Sequence, residues 1–144
     1  MSPSQNQSVS PVLKVIYFAL MVSIGIYYGV VQFLKTNWTT EPQVNEELLM
    51  ICSVVGFAVC FLGMIVNRIL LNAKQLKKLD NPKARVFTGF IVTWALFEVC
   101  TICGLVYSFI TQDASQIHLF ALLNLTCMLA HPPSDNRIKN LLAQ

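Results

Sequence analysis

"VFTGFIVTWALFEVCTICGLVYSFI", residues 86–110, runs for 25 residues with a single charged side chain, Glu98, at its thirteenth position. An α-helix rises 1.5 Å per residue and the hydrocarbon layer of a bilayer is about 30 Å thick, so about 20 apolar residues suffice to cross it. The stretch is long enough to span, and a spanning helix would hold Glu98 close to the bilayer midplane. Two other stretches share its character. Val15–Leu34 carries no charge, and Leu48–Val66 carries none before it runs on through Asn67 and Arg68 to Leu71.

Composition points the same way. The 144 residues are 55% hydrophobic and 12% charged, where a soluble domain devotes about a quarter of its residues to charge. The mean hydropathy is +0.59. All six prolines (Pro3, Pro11, Pro42, Pro82, Pro132, Pro133) stand outside the apolar runs and all six glycines inside them. Glycine is tolerated in membrane helices, where it lets neighbours approach closely. An integral, multi-pass membrane protein is expected, with the lipid bilayer as its first partner. The expected host is a bacterial inner membrane, with an organellar membrane as the alternative.

A fourth apolar run, Ile117–Ala130, reaches only about 21 Å as a helix. Charge supports a crossing. With four spans, Lys14, Arg68, Lys74, Lys77, Lys78, Lys83, Arg85, Arg137 and Lys139 fall on one side and only Lys35 on the other. That split follows the positive-inside rule and puts both termini in the cytoplasm. The expected fold is an all-α, four-helix polytopic transmembrane protein made of two antiparallel hairpins. Its spans are residues 12–34, 48–71, 86–111 and 115–131. Residues 1–11, rich in Ser and Gln, read as a disordered cytoplasmic tail. Residues 132–144 read as an interfacial tail, in which Ser134 caps a short helix that lays Ile138, Leu141 and Leu142 on the membrane surface.

The net charge of +3 calls for no nucleic-acid partner, because the basic residues flank the spans and meet lipid headgroups. The five cysteines all fall within spans, where thiols act as small packing groups. No Ser-His-Asp or metal-ligand spacing occurs, so neither an enzyme nor a cofactor is expected.

Span two carries a stripe of small or polar residues, Ser53, Gly56, Cys60, Gly63 and Asn67, at spacings of three and four. Span one carries a shorter one, Gly25 and Gly29. With lipid as apolar as leucine, helices associate by close approach along such stripes. The stripes serve packing within the chain or contact between copies in a homo-oligomer or with other membrane subunits.

Glu98 is the residue with chemistry. Burying its charge mid-membrane costs about 2.5–3.5 kcal/mol on insertion scales. Keeping it protonated at pH 7 costs about 3.7 kcal/mol. The two costs are comparable, so modest changes in its surroundings decide its charge. No basic residue lies within the apolar depth of any span to fix the ionised form. Thr101, one turn on, shares its face, and Asn124, Ser53 and Ser23 are candidate hydrogen-bond partners from other helices. Two roles stay open: a carboxyl that exchanges a proton or cation, and a protonated one that joins helices as a hydrogen-bonding anchor.

The segment "FIVTWALFEVCTICGLVYSFI" (90–110) resembles the carboxylate-bearing helix of the proteolipid c subunit of rotary ATP synthases. The matching positions are Ala95, Leu96 and Glu98, followed by Gly104, Leu105 and Val106. Asn81-Pro82, with Lys83 and Arg85 beyond it, resembles that family's polar loop. The likeness is local, over residues 72–111. It implies an ion-carrying role for Glu98, and for Asn81, Pro82 and Arg85 a loop that docks on a rotor stalk.

Overall fold

The computed structural model describes residues 9–38, 41–72, 76 and 81–142, and all the regular elements among them are helices. They are α1 (Val9–Lys35), α2 (Glu46–Leu70), α3 (Pro82–Thr111), α4 (Ile117–Ala130) and α5 (Asp135–Leu142). The first three are long and apolar enough to cross a membrane; α4 is apolar but short. The disordered tail expected for residues 1–11 gives way to helix from Val9, with Pro11 in the first turn, where its missing N–H costs nothing. Residues 1–8 lie outside the described residues.

Local chemistry sets the helix boundaries. The Asn45 side chain accepts from the Leu48 N–H at 2.9 Å and starts α2, with Glu46 and Glu47 at the positive end of its dipole. Asn81 accepts from the Ala84 N–H at 3.2 Å and Pro82 follows as the first residue of α3. At the far end of α3, Gln112 takes a left-handed conformation (φ 54°) and turns the chain back. Asp113 braces that turn by accepting from the N–H and the hydroxyl of Ser115, both at 2.8 Å.

The bundle has a terminal end, where α1 and α3 begin and α2 and α4 stop, and a loop end. The loop end is tied by the Gln43 N–H donating to the Thr111 carbonyl at 2.9 Å. Helix α3 is central and packs against α2, α4 and α1. The expected hairpin pairing of the first two helices is corrected here: α1 lies on α3 and α4 and hardly touches α2. The physical reason is the α2 stripe. Gly56, Cys60, Gly63 and Asn67 are all buried, and α2 turns them to α3 and α4. A Cβ added to Gly63 would meet the Phe97 ring, and one on Gly56 the Phe120 ring and the Cys100 sulfur. The stripe is therefore occupied inside the chain, with Ser53 half-buried at its loop-end limit. Gly25 and Gly29 of α1, by contrast, face outward with nothing within 4 Å of an added Cβ.

Helix α4 matches only part of α3. Its Phe120 packs on Gly104, where an added Cβ would approach the Phe120 Cβ to 2.7 Å, and it ends where His131 meets Trp94. Below that level α5 takes its place. Within the expected surface tail, residues 135–142 form α5, which packs under the bundle with Ile138 buried and Leu141 and Leu142 against the core. A helix that must bury three apolar residues does so equally well against protein. Charged contacts described below hold it there.

Candidate functional site

Glu98 comes from the middle of α3, on the flank that meets α1 and α4, and is 7% exposed. One carboxyl oxygen, Oε1, meets the hydroxyl of Ser23 on α1. The other, Oε2, accepts from Nδ2 of Asn124 on α4 at 3.4 Å. The same Asn124 nitrogen donates to Thr101 Oγ1, one turn along α3, at 2.8 Å. Tyr27, one turn beyond Ser23 on α1, also interacts with the carboxyl. Three helices thus meet at one acid, and the structure brings Glu98, Thr101 and Asn124 into a single hydrogen-bonded cluster.

Among the described residues no lysine or arginine forms an ion pair with Glu98; the ion pair present, Lys14–Asp135, lies at the terminal end. The surroundings are polar but neutral. Ser23 has one hydroxyl hydrogen and two acceptors within reach, Glu98 and the Leu20 carbonyl at 2.7 Å. When Glu98 is protonated it donates to Ser23, which passes its own hydrogen to Leu20. When Glu98 is ionised, Ser23 turns its hydrogen to the carboxylate. One geometry serves both charge states. Asn124 is fully buried, and its Oδ1 has no partner among the described residues. A spare acceptor beside an acid provides a further place for a proton-bearing group.

Aromatic residues floor the cluster on the terminal side. Trp94, one turn before Glu98, packs on Tyr17 at 5.3 Å and Phe90 at 5.2 Å between ring centroids. Its indole N–H donates to the His131 carbonyl at 3.1 Å. Phe97 packs against the His131 ring at 5.4 Å, and the Tyr17 hydroxyl donates to the Met128 carbonyl at 3.1 Å. Trp94, Phe97 and Phe90 are all fully buried.

Other candidate residues lie apart from this cluster. Asn67 donates to Thr93 Oγ1 at 3.2 Å and belongs to the terminal end. Asn81 and Pro82 cap α3, Lys83 stands half-buried in its first turn, and Arg85 Nε donates to the Leu70 carbonyl at 3.4 Å. These contacts tie the start of α3 to the end of α2. Residues 73–75 and 77–80 of the basic loop lie outside the described residues. The thiols of Cys60, Cys100 and Cys127 meet where α2, α3 and α4 converge, and all five cysteines are free. Among the described residues no group of three or more His, Cys, Asp or Glu is arranged to hold a metal.

Sequence reasoning missed Tyr27 and Arg137. Tyr27 could have been found from its i, i+4 spacing to Ser23. Arg137 could not, because nothing local announces that α5 folds back. The fold and the site together define a helical membrane protein with three candidate spans and a buried, uncharged-partnered carboxyl at its centre. No family model, curated protein or solved structure matches the chain.

Proposed function

We propose that this is a multi-pass membrane protein whose Glu98 takes up and releases a proton. The observation that carries the reading is the neutral setting of the acid: Ser23 and Asn124 bond it from α1 and α4, and among the described residues no lysine or arginine forms an ion pair with it. A carboxyl held in this way answers small changes in its surroundings with a change of charge, which is what proton-linked membrane proteins require. The arrangement would sit in the membrane with α4 as a fourth, short crossing and both chain ends in the cytoplasm, the side favoured by the basic residues. Copies would assemble with one another or with other membrane subunits, as the likeness to the proteolipid c subunit implies. The outward faces of α1 and α2, rich in exposed Phe, Val, Ile and Met, are the surfaces left for them.

The test is Glu98→Gln in liposomes that carry an imposed pH gradient. Glutamine keeps the size and the hydrogen bonds but holds no exchangeable acid proton. Wild-type protein should dissipate the gradient and the variant should behave like empty liposomes. Equal rates in the two would sink the proposal. They would leave the second reading, which the geometry also favours: Glu98 as a clamp, since its partners lie on two other helices. The clamp reading expects Glu98→Gln to match wild type in stability and Glu98→Leu to loosen α1 and α4. The copy number of the purified assembly separates a proteolipid-like ring from a single-copy subunit.

A further inference from the structure

Helix α5 makes contacts that converge on two helices which otherwise hardly meet. Its Asp135 accepts from Lys14 Nζ of α1 at 2.7 Å and from the Ser10 hydroxyl. Its Arg137 donates from Nη2 to Asn67 Oδ1 of α2 at 2.6 Å and lies over the Phe90 ring of α3, 5.2 Å from the centroid. Between these two residues' attachments, Ile138 is buried. We propose that α5 is a releasable clasp that seats α1 against α3 and thereby holds Ser23 on Glu98. The inference rests on the reading of Glu98 as a proton-exchanging group.

Three features make the contact a clasp and not a permanent part of the core. First, α1 has little grip of its own: Val15, Phe18, Val22, Ile26, Val30 and Phe33 all face outward, whereas α3 is buried along most of its length. Leu13, fully buried, stands beside Lys14 at the clasp, and Tyr17 follows one turn on. Freeing Lys14 would loosen the helical stretch that leads to Ser23. Second, both partners of the Lys14–Asp135 pair are about half exposed, with side-chain exposures of 49% and 52%. Such pairs are weak and yield to salt. Third, Arg137 is half-buried with no carboxylate in ion-pair distance among the described residues. Burial pushes its guanidinium below the ordinary arginine range, the mark of a cation better solvated elsewhere. The charged groups at the clasp are Lys14 on α1 and Asp135, Arg137 and Lys139 on α5. On the neighbouring elements, His131 ends α4 and the Tyr17 hydroxyl lies on α1.

Hydrogen–deuterium exchange of the full chain in lipid nanodiscs tests the inference. Lys14→Asp and Asp135→Lys each place like charges together; the double reversal restores the pair. Each single variant should raise amide exchange severalfold across residues 13–23 and leave α3 unchanged, and the double variant should return to wild-type protection. Should a reversal fail to fold, Arg137→Lys is the milder probe, because it keeps the charge but loses the planar stack on Phe90. Glu98-dependent proton flux is measured on the same samples and should follow the exchange. Unchanged exchange in every variant overturns the clasp. Loosened α1 with unaltered flux overturns its link to Glu98 and leaves the proton reading standing. Absence of any Glu98-dependent flux in wild type overturns that reading, and the link with it, while exchange still decides whether α5 seats α1.

Discussion

Helices α1 and α3 have nearly the same mean hydropathy and similar length, yet one is largely exposed and the other is the axis of the bundle. The difference lies in what interrupts their apolar residues. Helix α3 carries Gly89, Thr93, Glu98, Thr101, Gly104, Ser108 and Thr111 on its buried faces, and their small or polar side chains admit neighbours closely or bond to them. Helix α1 turns Phe18, Val22, Ile26, Val30 and Phe33 outward. In lipid, apolarity does not drive burial, because the alternative environment is equally apolar; close packing and polar contacts do. Membrane helices are therefore sorted by their exceptions.

Matched substitutions on the two helices probe this contrast. Trp94→Ala should cost about 3–5 kcal/mol, as a fully buried aromatic leaves a cavity between Tyr17 and Phe90. Phe18→Ala, at a residue 69% exposed, should cost less than about 0.5 kcal/mol. Reversible unfolding in mixed micelles measures both, and equal costs would erase the distinction. Gly104→Ala comes next, at about 1–3 kcal/mol, because its Cβ meets the Phe120 Cβ, which cannot rotate away. Gly25→Ala, in open space, should be neutral within about 0.5 kcal/mol. If Gly25→Leu instead disperses an oligomer on a sizing column, the small face of α1 meets a copy and not lipid.

The attachment of α1 should also depend weakly on pH. Lys14, and then the Ser10 hydroxyl, hold the Asp135 carboxyl below its ordinary value of 3.8. A group lowered on folding contributes at pH above its unfolded value and ceases to as pH falls through its folded one. The protection of α1 amides, taken relative to the intrinsic exchange rate at each pH, should thus stay constant from neutral pH to about 3.8 and fall below it. The effect should shrink with added salt, since Asp135 is exposed. The smallest expected effect is at the α3–α4 turn. Gln112→Gly should stabilise by about 0.5 kcal/mol, the relief of a left-handed residue less the chain entropy of glycine. Melting temperature reads it out.

Much of the fold was legible in residue order. The apolar runs gave three long helices within a few residues of their ends, while the capping of α3 by Asn81 and its first-turn Pro82 emerged only in the structure. Glu98 stood out because a lone acid in an apolar run is costly, and Thr101 was close to it by helical spacing alone. The choice of Ser23 over Ser53 as its partner was not legible. It depends on which helices lie beside α3, and periodicity within a helix carries no information about its neighbours. The docking of α5 was equally hidden, because an amphipathic helix satisfies its apolar face against lipid or protein alike.

The sequence by itself determined that this chain forms apolar helices long enough to cross a membrane and that one of them carries an acid with no charged companion nearby in the chain. Only the tertiary structure decided that the acid is enclosed by Ser23 and Asn124, that the α2 stripe is used within the chain, and that Arg137 returns to the terminal end of the bundle. The reason is that helix formation is a local matter of hydrogen bonding and hydropathy. Helix placement is set by side-chain fit between segments 20 to 125 residues apart, which no short stretch of sequence encodes.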